Sequence, residues 1–261
     1  MKRWLNWIAL VLVFAIACGF LANWQFSRRE TKLASIELVQ SNYSKPPVVL
    51  SDVLENEAFS LPEVTWRTVK IEGNYLPAKS LLVRNRPNNG QPGFEQLTPF
   101  LSDQGQLIFV SRGWLPTGRK QDTPDLVPQV TENHVTLIAR IVPSEPTLDR
   151  GAPIGQIASI NIALANQITS LDGITNGYLR LVSESPNTQD LPKPMPTPSI
   201  EEGNNLSYAL QWILFALMSV LALLWRIRRD RDIEKGVVRK SSKKSISKLD
   251  EELEDQVTRA K

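Results

Sequence analysis

Cysteine and histidine are nearly absent from this 261-residue chain: Cys18 and His134 are the single examples of each. A structural zinc site, a CxxC redox pair, a copper centre on paired cysteines and a Cys/His nucleophilic dyad all need more thiols or imidazoles than that. One thiol forms no intramolecular disulfide, and a thiol-poor domain suits an oxidising or a reducing compartment equally. The sequence has no GxSxG, P-loop or dinucleotide fingerprint. Its acidic residues are scattered, with no close pair on a recognisable turn, so paired-carboxylate hydrolysis has no support. His134 opens a predicted strand beside Val135 and reads as a structural or surface residue rather than a ligand or base. No internal repeat is visible.

Charge is also missing, but locally. Leu5–Ala22 and Tyr208–Trp225 are two 18-residue blocks without an ionisable side chain apart from Cys18 and Tyr208. At a rise of 1.5 Å per residue each block makes about 27 Å of helix, and flanking Trp residues extend that toward the thickness of a bilayer core. The first block resembles a signal peptide in its basic start and its Ala15-Ile16-Ala17 pattern before Cys18. Its apolar run continues past Cys18 to Ala22 and meets the interfacial residue Trp24, so an uncleaved helix is expected.

The net charge of +3 is unevenly placed. Lys2 and Arg3 precede the first block; residues 23–207 carry 16 basic and 19 acidic side chains; residues 226–261 carry 12 basic and 8 acidic. Basic residues are held back on the cytoplasmic side of membrane helices. The expected plan is a cytoplasmic N-terminus (1–4), a first span (5–23), an extracytoplasmic domain (24–205), a second span (206–225) and a basic cytoplasmic tail (226–261). The tail's position marks it as a topology signal facing lipid, and no nucleic acid partner is expected.

Within the loop, Arg28–Gln40 is helix-forming, with Leu33, Ile36 and Leu38 on one broad face, and Lys45-Pro46-Pro47 stops it. Strand patterns occur at residues 68–72, 81–83, 107–110 and 134–141, separated by turn clusters at 87–90, 103–105 and 116–118. One helix is expected around Ile160–Ile168 and a last strand at Tyr178–Val182. The stretch 185–203, with Pro192, Pro194, Pro196 and Pro198, reads as a stiff linker back to the membrane. The fold class is thus a membrane protein in which two transmembrane α-helices flank a mostly antiparallel β (α+β) extracytoplasmic domain. In the tail, Ser247 and Asp250 have capping-box spacing ahead of Leu249, Leu253 and Val257, which predicts a solvated helix.

Two polar, glycine-bearing stretches stand out. Arg84-Asn85-Arg86-Pro87-Asn88-Asn89-Gly90-Gln91-Pro92-Gly93-Phe94-Glu95 joins two predicted strands, and Ser111-Arg112-Gly113-Trp114-Leu115-Pro116 follows a buried one. Gly beside Trp at a strand end indicates close backbone packing or a binding rim. Arg84, Arg86 and Arg112 have the bidentate geometry for a ligand carboxylate or for Glu72 and Glu95 of the same domain.

These stretches, with Thr98–Phe100, resemble the signature segments of the Surfeit locus protein family of cytochrome c oxidase assembly factors. Asn23-Trp24-Gln25 with Arg28 and Lys32 is similar to the family's segment outside its first membrane helix. Leu206-Ser207-Tyr208-Ala209-Leu210-Gln211-Trp212 is similar to its entry into the second. The resemblance covers residues 20–225 in order and implies an integral membrane assembly factor without enzymatic turnover. Its partners would be subunit one of a haem-copper oxidase and other assembly factors, its cargo haem a, and its home a bacterial inner membrane with the large loop in the periplasm.

The functional face expected from this resemblance is formed by Trp24, Gln25, Arg28, Tyr208, Gln211 and Trp212, with Gln211 lying in a polar seam between the helices. Family members carry a His just before the second helix. Here Asn204 and Asn205 stand there, and Asn is a poor axial ligand, so no metal ligand is assigned. The reading from another class is an extracytoplasmic sensor on a membrane hairpin, in which the Asn89–Glu95 loop grips a small ligand. A periplasmic hydrolase is a distant third.

Overall fold

The computed structural model describes residues 2–56, 58–186 and 191–236, which form two compact units. One unit is made of both ends of the chain (Met1–Thr31 and Glu202–Lys261) and the other spans Lys32–Glu201. The predicted tail helix around Ser247, Leu249, Asp250, Leu253 and Val257 lies outside the described residues.

The end unit contains two long helices. Helix α1 runs Lys2–Asn42 without a break, its last turns entering the other unit, and α3 runs Asn205–Glu234. Both are long and apolar enough to cross a membrane, and within their apolar stretches few side chains are buried by protein. Helices that leave Leu12, Phe20 and Leu221 outward are not core helices of a water-soluble fold. Arg226 lies over the Trp7 ring and Arg29 pairs with Glu202 at 2.9 Å, so the two helices run antiparallel. Cys18 and Ala22 of α1 and Ala209 of α3 are the buried residues between these fastenings.

In the second unit β1 is Val48–Val49, β2 Leu54–Glu55, β3 Ala58–Phe59, β4 Thr68–Tyr75, β5 Leu81–Val83, β6 Gly93–Ser102, β7 Leu107–Pro116, β8 Val135–Pro143, β9 Gln156–Ile157 and β10 Gly177–Ser185. Strands pair in the order β1-β4-β8-β10-β7-β6-β5-β9, and β4 also pairs with β6. That extra pairing closes β4-β8-β10-β7-β6 into a barrel, which removes the exposed edges of an open sheet. Four of its five contacts are antiparallel; β7–β10, together with β1–β4 and β5–β9 outside the ring, is parallel. The sheet is therefore mixed, although antiparallel pairs dominate as the short strands suggested.

Alternation sorts the side chains into two cores. Val69, Ile71, Phe100, Ile108, Val110, Leu137, Ala139, Ile141 and Leu179 fill the barrel. Leu97, Phe109, Val142 and Tyr178 point outward and are covered by Ile157, Ile160 and helix α2 (Ile162–Thr169). Asn161 caps α2 by accepting from the Leu164 N–H at 2.9 Å.

Two expectations change. The stretch Arg84–Glu95, read as joining two strands, ends inside one: Gly93–Ser102 is a ten-residue strand, because Phe94, Leu97 and Phe100 are buried on its two faces in turn. The stretch 185–203 is not a free linker: Ser185 ends β10, and Lys193 forms an antiparallel bridge with Trp114 through hydrogen bonds of 2.7 and 3.0 Å.

Candidate functional site

The two signature stretches meet on the outside of the barrel. The loop after β5 turns through Asn89 (φ 50°) and Gly90 (φ 77°), both at the positive φ that a type I′ hairpin turn requires, which is why Asn-Gly stands there. Asn88 and Gln91 exchange both main-chain hydrogen bonds across it. The returning chain enters β6 at Gly93, where a Cβ would overlap the indole of Trp114. Arg86 donates its N–H to the Gly93 carbonyl and accepts the Trp114 Nε1–H at 2.6 Å.

A bulge in β7 explains the Ser111-Arg112-Gly113 order. Leu97 pairs with Ser111 but Gln96 pairs with Gly113, so Arg112 is the extra residue and Gly113 adopts φ +143°. Ser111 consequently stays on the outer face, while Arg112 turns into the barrel.

Outside, Glu95 is fully buried and is held by Ser111 Oγ at 2.6 Å and Arg86 Nε at 2.5 Å. The rest of the Arg86 guanidinium takes both oxygens of Glu145 at 2.7 and 3.1 Å, and Glu145 also accepts the Ile160 N–H. Burial pulls the Arg86 pKa down, but Glu95 and Glu145 outweigh it and hold the group above its ordinary value. Nearby Tyr178 is pushed up to about 12, chiefly by burial, with Arg180 opposing and Glu95 and Glu145 adding to it.

Inside, Arg112 (2% exposed) meets Glu184 (6%) at 3.4 Å and Gln96 at 3.2 Å, and Tyr75 donates its hydroxyl to Glu184 at 3.1 Å. Burial, then the Glu184 charge, pushes the Tyr75 phenol well above its usual value. Gln96 in turn donates to the Pro128 carbonyl. Arg86 thus pairs with Glu95 as one sequence reading had it, whereas Glu72 pairs with Lys70. Glu145 and Glu184, distant in sequence, carried no local signal and were missed.

Arg86, Glu95, Ser111, Arg112 and Trp114 of the signature stretches are therefore spent on internal contacts, whereas Asn89–Pro92 at the tip of the loop stay exposed. Beside Trp114 lies a shallow groove lined by Pro116, Leu126, Pro128, Pro192 and Lys193.

In the end unit, Trp24 (51% exposed), Arg28 stacked on it at 5.4 Å, Tyr208 (50%) and Gln211 all face outward. Trp212 is half-buried against Phe215 of its own helix. Gln211 is thus not in a seam between the helices. The amide turned inward is Gln25, whose Oε1 is buried without a partner.

The end unit has no imidazole for axial ligation of haem. Asn204 and Asn205 open α3, and His134 belongs to the barrel unit, half exposed and 2.9 Å from Asp103. Arg86 and Arg112 are committed to carboxylates of the chain. Among the described residues no group of three His, Cys, Asp or Glu is placed to hold a metal ion.

The SURF1 family model matches residues 12–217, from the first helix through the barrel into the second. The chain belongs to the SURF1 family. An uncharacterized SURF1-like protein of Mycobacterium bovis is 31% identical over 229 residues, covering 84% of this chain and 82% of the relative. A SURF1-like protein of Rickettsia bellii is 26% identical over 241 residues, 88% of this chain and 94% of the relative. Surfeit locus protein 1 of Xenopus tropicalis is 29% identical over 141 residues, covering 48% and 43%. The bulge at Arg112 and the Arg86–Trp114 clasp both lie inside the SURF1 match.

Proposed function

We propose that this SURF1 protein is a membrane-integral assembly factor for a haem-copper cytochrome c oxidase, acting without catalytic turnover on haem a insertion or on maturation of subunit one. The observation that carries the reading is the family match over residues 12–217, which takes in parts of both apolar helices as well as the barrel. The barrel's signature residues, Asn85, Arg86, Gly90, Gln91, Pro92, Gly93, Arg112, Gly113 and Trp114, serve as its scaffold. Partner contact falls to the outward residues of the end unit, Trp24, Arg28, Tyr208 and Gln211, with Gln25 and Trp212 behind them.

The charge distribution supports both termini in the cytoplasm and the barrel in the periplasm of a bacterial inner membrane, since the strongest basic cluster directly follows the second apolar block. Alkaline phosphatase fused after residue 120 is expected to be active and after residue 240 inactive; the reverse would exclude this orientation. Membranes from a deletion strain are expected to lose the a-type haem signal in a reduced-minus-oxidised difference spectrum. A normal oxidase spectrum in that strain would defeat the assembly reading.

A further inference from the structure

Two arginines stand side by side on the barrel wall with no carboxylate to share among the described residues. Arg140 on β8 and Arg180 on β10 are direct cross-strand partners. Their neighbours Ala139, Ile141 and Leu179 point into the barrel, so both guanidinium groups stand on its outer face. Like charges placed directly opposite destabilise a strand pair. Among the described residues neither arginine makes an ion pair or a side-chain hydrogen bond.

Each has an aromatic ring instead. The Arg140 guanidinium carbon is 3.7 Å from the Tyr43 ring centroid, that of Arg180 is 5.1 Å from the Trp66 ring, and the two rings are 6.4 Å apart. The backbone is bent to make this arrangement. Trp66 adopts φ +66°, a left-handed conformation that is costly for a bulky residue, and hydrogen bonds from Trp66 N–H to the Ile141 carbonyl and from Asn42 Nδ2 to the Thr65 carbonyl hold it there.

Stacking on a ring engages the flat face of a guanidinium and leaves its in-plane N–H donors free. The Nε of Arg140 and the Nε of Arg180 are both buried without a partner. Thr65 Oγ1 and Arg67 Nη1, from the residues on either side of Trp66, are in the same condition. The unpartnered Nε donors of two adjacent, unshared cations lack one component, an anionic acceptor.

We propose that Tyr43, Trp66, Arg140 and Arg180 form an oxyanion site that takes a phosphate group. Two adjacent guanidinium forks exceed the single charge of a carboxylate and match a phosphate dianion in charge and in bidentate geometry. A phospholipid headgroup and a free phosphate present this same group.

The test uses the full chain in an uncharged detergent and follows thermal unfolding at constant ionic strength. The probes are inorganic phosphate and dihexanoyl phosphatidic acid, with dihexanoyl phosphatidylcholine and chloride as controls. A saturable rise in Tm is expected for the wild-type protein, and Arg140→Gln or Arg180→Gln should weaken the apparent affinity by about tenfold or more.

A sign reversal distinguishes the site from a purely architectural stack. Without phosphate, Arg140→Gln removes like-charge repulsion and should raise Tm. At saturating phosphate the same variant should melt below wild type. A response to inorganic phosphate identifies a soluble source, and a response to phosphatidic acid alone identifies lipid; either supports the site. No response to any probe, or a response that persists in both variants, overturns it.

Discussion

The indole Nε1 of Trp114 donates to the main-chain carbonyl of Arg86, 28 residues away, at 2.6 Å and joins the two signature stretches. This bond fixes the loop that begins at Arg84 against the end of β7, and Gly93 is the residue that lets the indole approach. Trp114→Phe keeps an aromatic ring but leaves the Arg86 carbonyl without its donor, an expected loss of about 1–3 kcal/mol in unfolding free energy. Gly93→Ala should destabilise comparably while leaving every hydrogen-bonding side chain in place. Denaturant unfolding followed by tryptophan fluorescence measures the second directly and the first against a Trp114-free baseline.

The carboxylate of Glu95 is fully buried, and Arg86 is the cation that neutralises it. Arg86→Met removes the charge while keeping much of the stem volume, so Glu95 is left uncompensated in the interior. A loss of about 3–5 kcal/mol is expected. The double change Arg86→Met with Glu95→Gln should recover part of it, because the remaining buried group is then neutral. If the double variant is no better than the single one, the ion pair is not what holds the loop.

Which parts of this arrangement were legible in the sequence follows from the range of the signals. Uncharged blocks announced both long helices, period-two alternation located β4 and β8, and a short apolar run located β7, because these depend on neighbours within one element. The Asn89-Gly90 turn was readable for the same reason. Gly93–Ser102 escaped because Glu95 and Gln96 interrupt its apolar pattern, and their partners, Arg86 in the loop after β5, Ser111 and Arg112 on β7 and Pro128, lie on other segments. Glu145 and Glu184 reach their arginines through barrel closure, a long-range pairing that no local pattern encodes. The Pro-rich stretch was read from composition as a spacer, whereas its docking at Lys193 depends on the space left by Gly113.

Tyr178 supplies a pH dependence. Its phenol is protonated and neutral in the native barrel up to about 12, whereas in the unfolded chain it ionises near 10. Between those values the unfolded state releases a proton that the native state retains. Stability conferred by the buried phenol is thus complete below pH 10 and is lost as pH rises toward 12, by ~2–3 kcal/mol for this residue. Tyr75, raised in the same direction, steepens the decline. Unfolding midpoints measured from pH 9 to 12 should fall, and Tyr178→Phe should make the fall shallower.

The outward position of Gln211 makes a prediction about partner contact. Gln211→Leu should leave membrane insertion and protein abundance unchanged, since no internal contact is removed, yet reduce oxidase maturation measured by the a-type haem signal. Trp24→Ala should act in the same direction. A fall in abundance of either variant would mean that these residues stabilise the protein itself rather than a complex.

Haem binding follows from the residues at the start of α3. An imidazole at Asn205 would open the helix, on a residue that is only partly buried and has no side-chain hydrogen bond to lose. The unaltered protein has no such ligand there, and His134, held by Asp103 in the other compact unit, does not substitute for it. Haemin added to the full chain in detergent should therefore give no bis-imidazole low-spin spectrum. Asn205→His should strengthen binding and shift the Soret band, while His134→Ala should change neither. Strong low-spin ligation in the unaltered protein that disappears in His134→Ala would place the ligand on the barrel and overturn the argument. Strong ligation insensitive to both changes would point to Tyr208, whose exposed phenol is then tested by Tyr208→Phe.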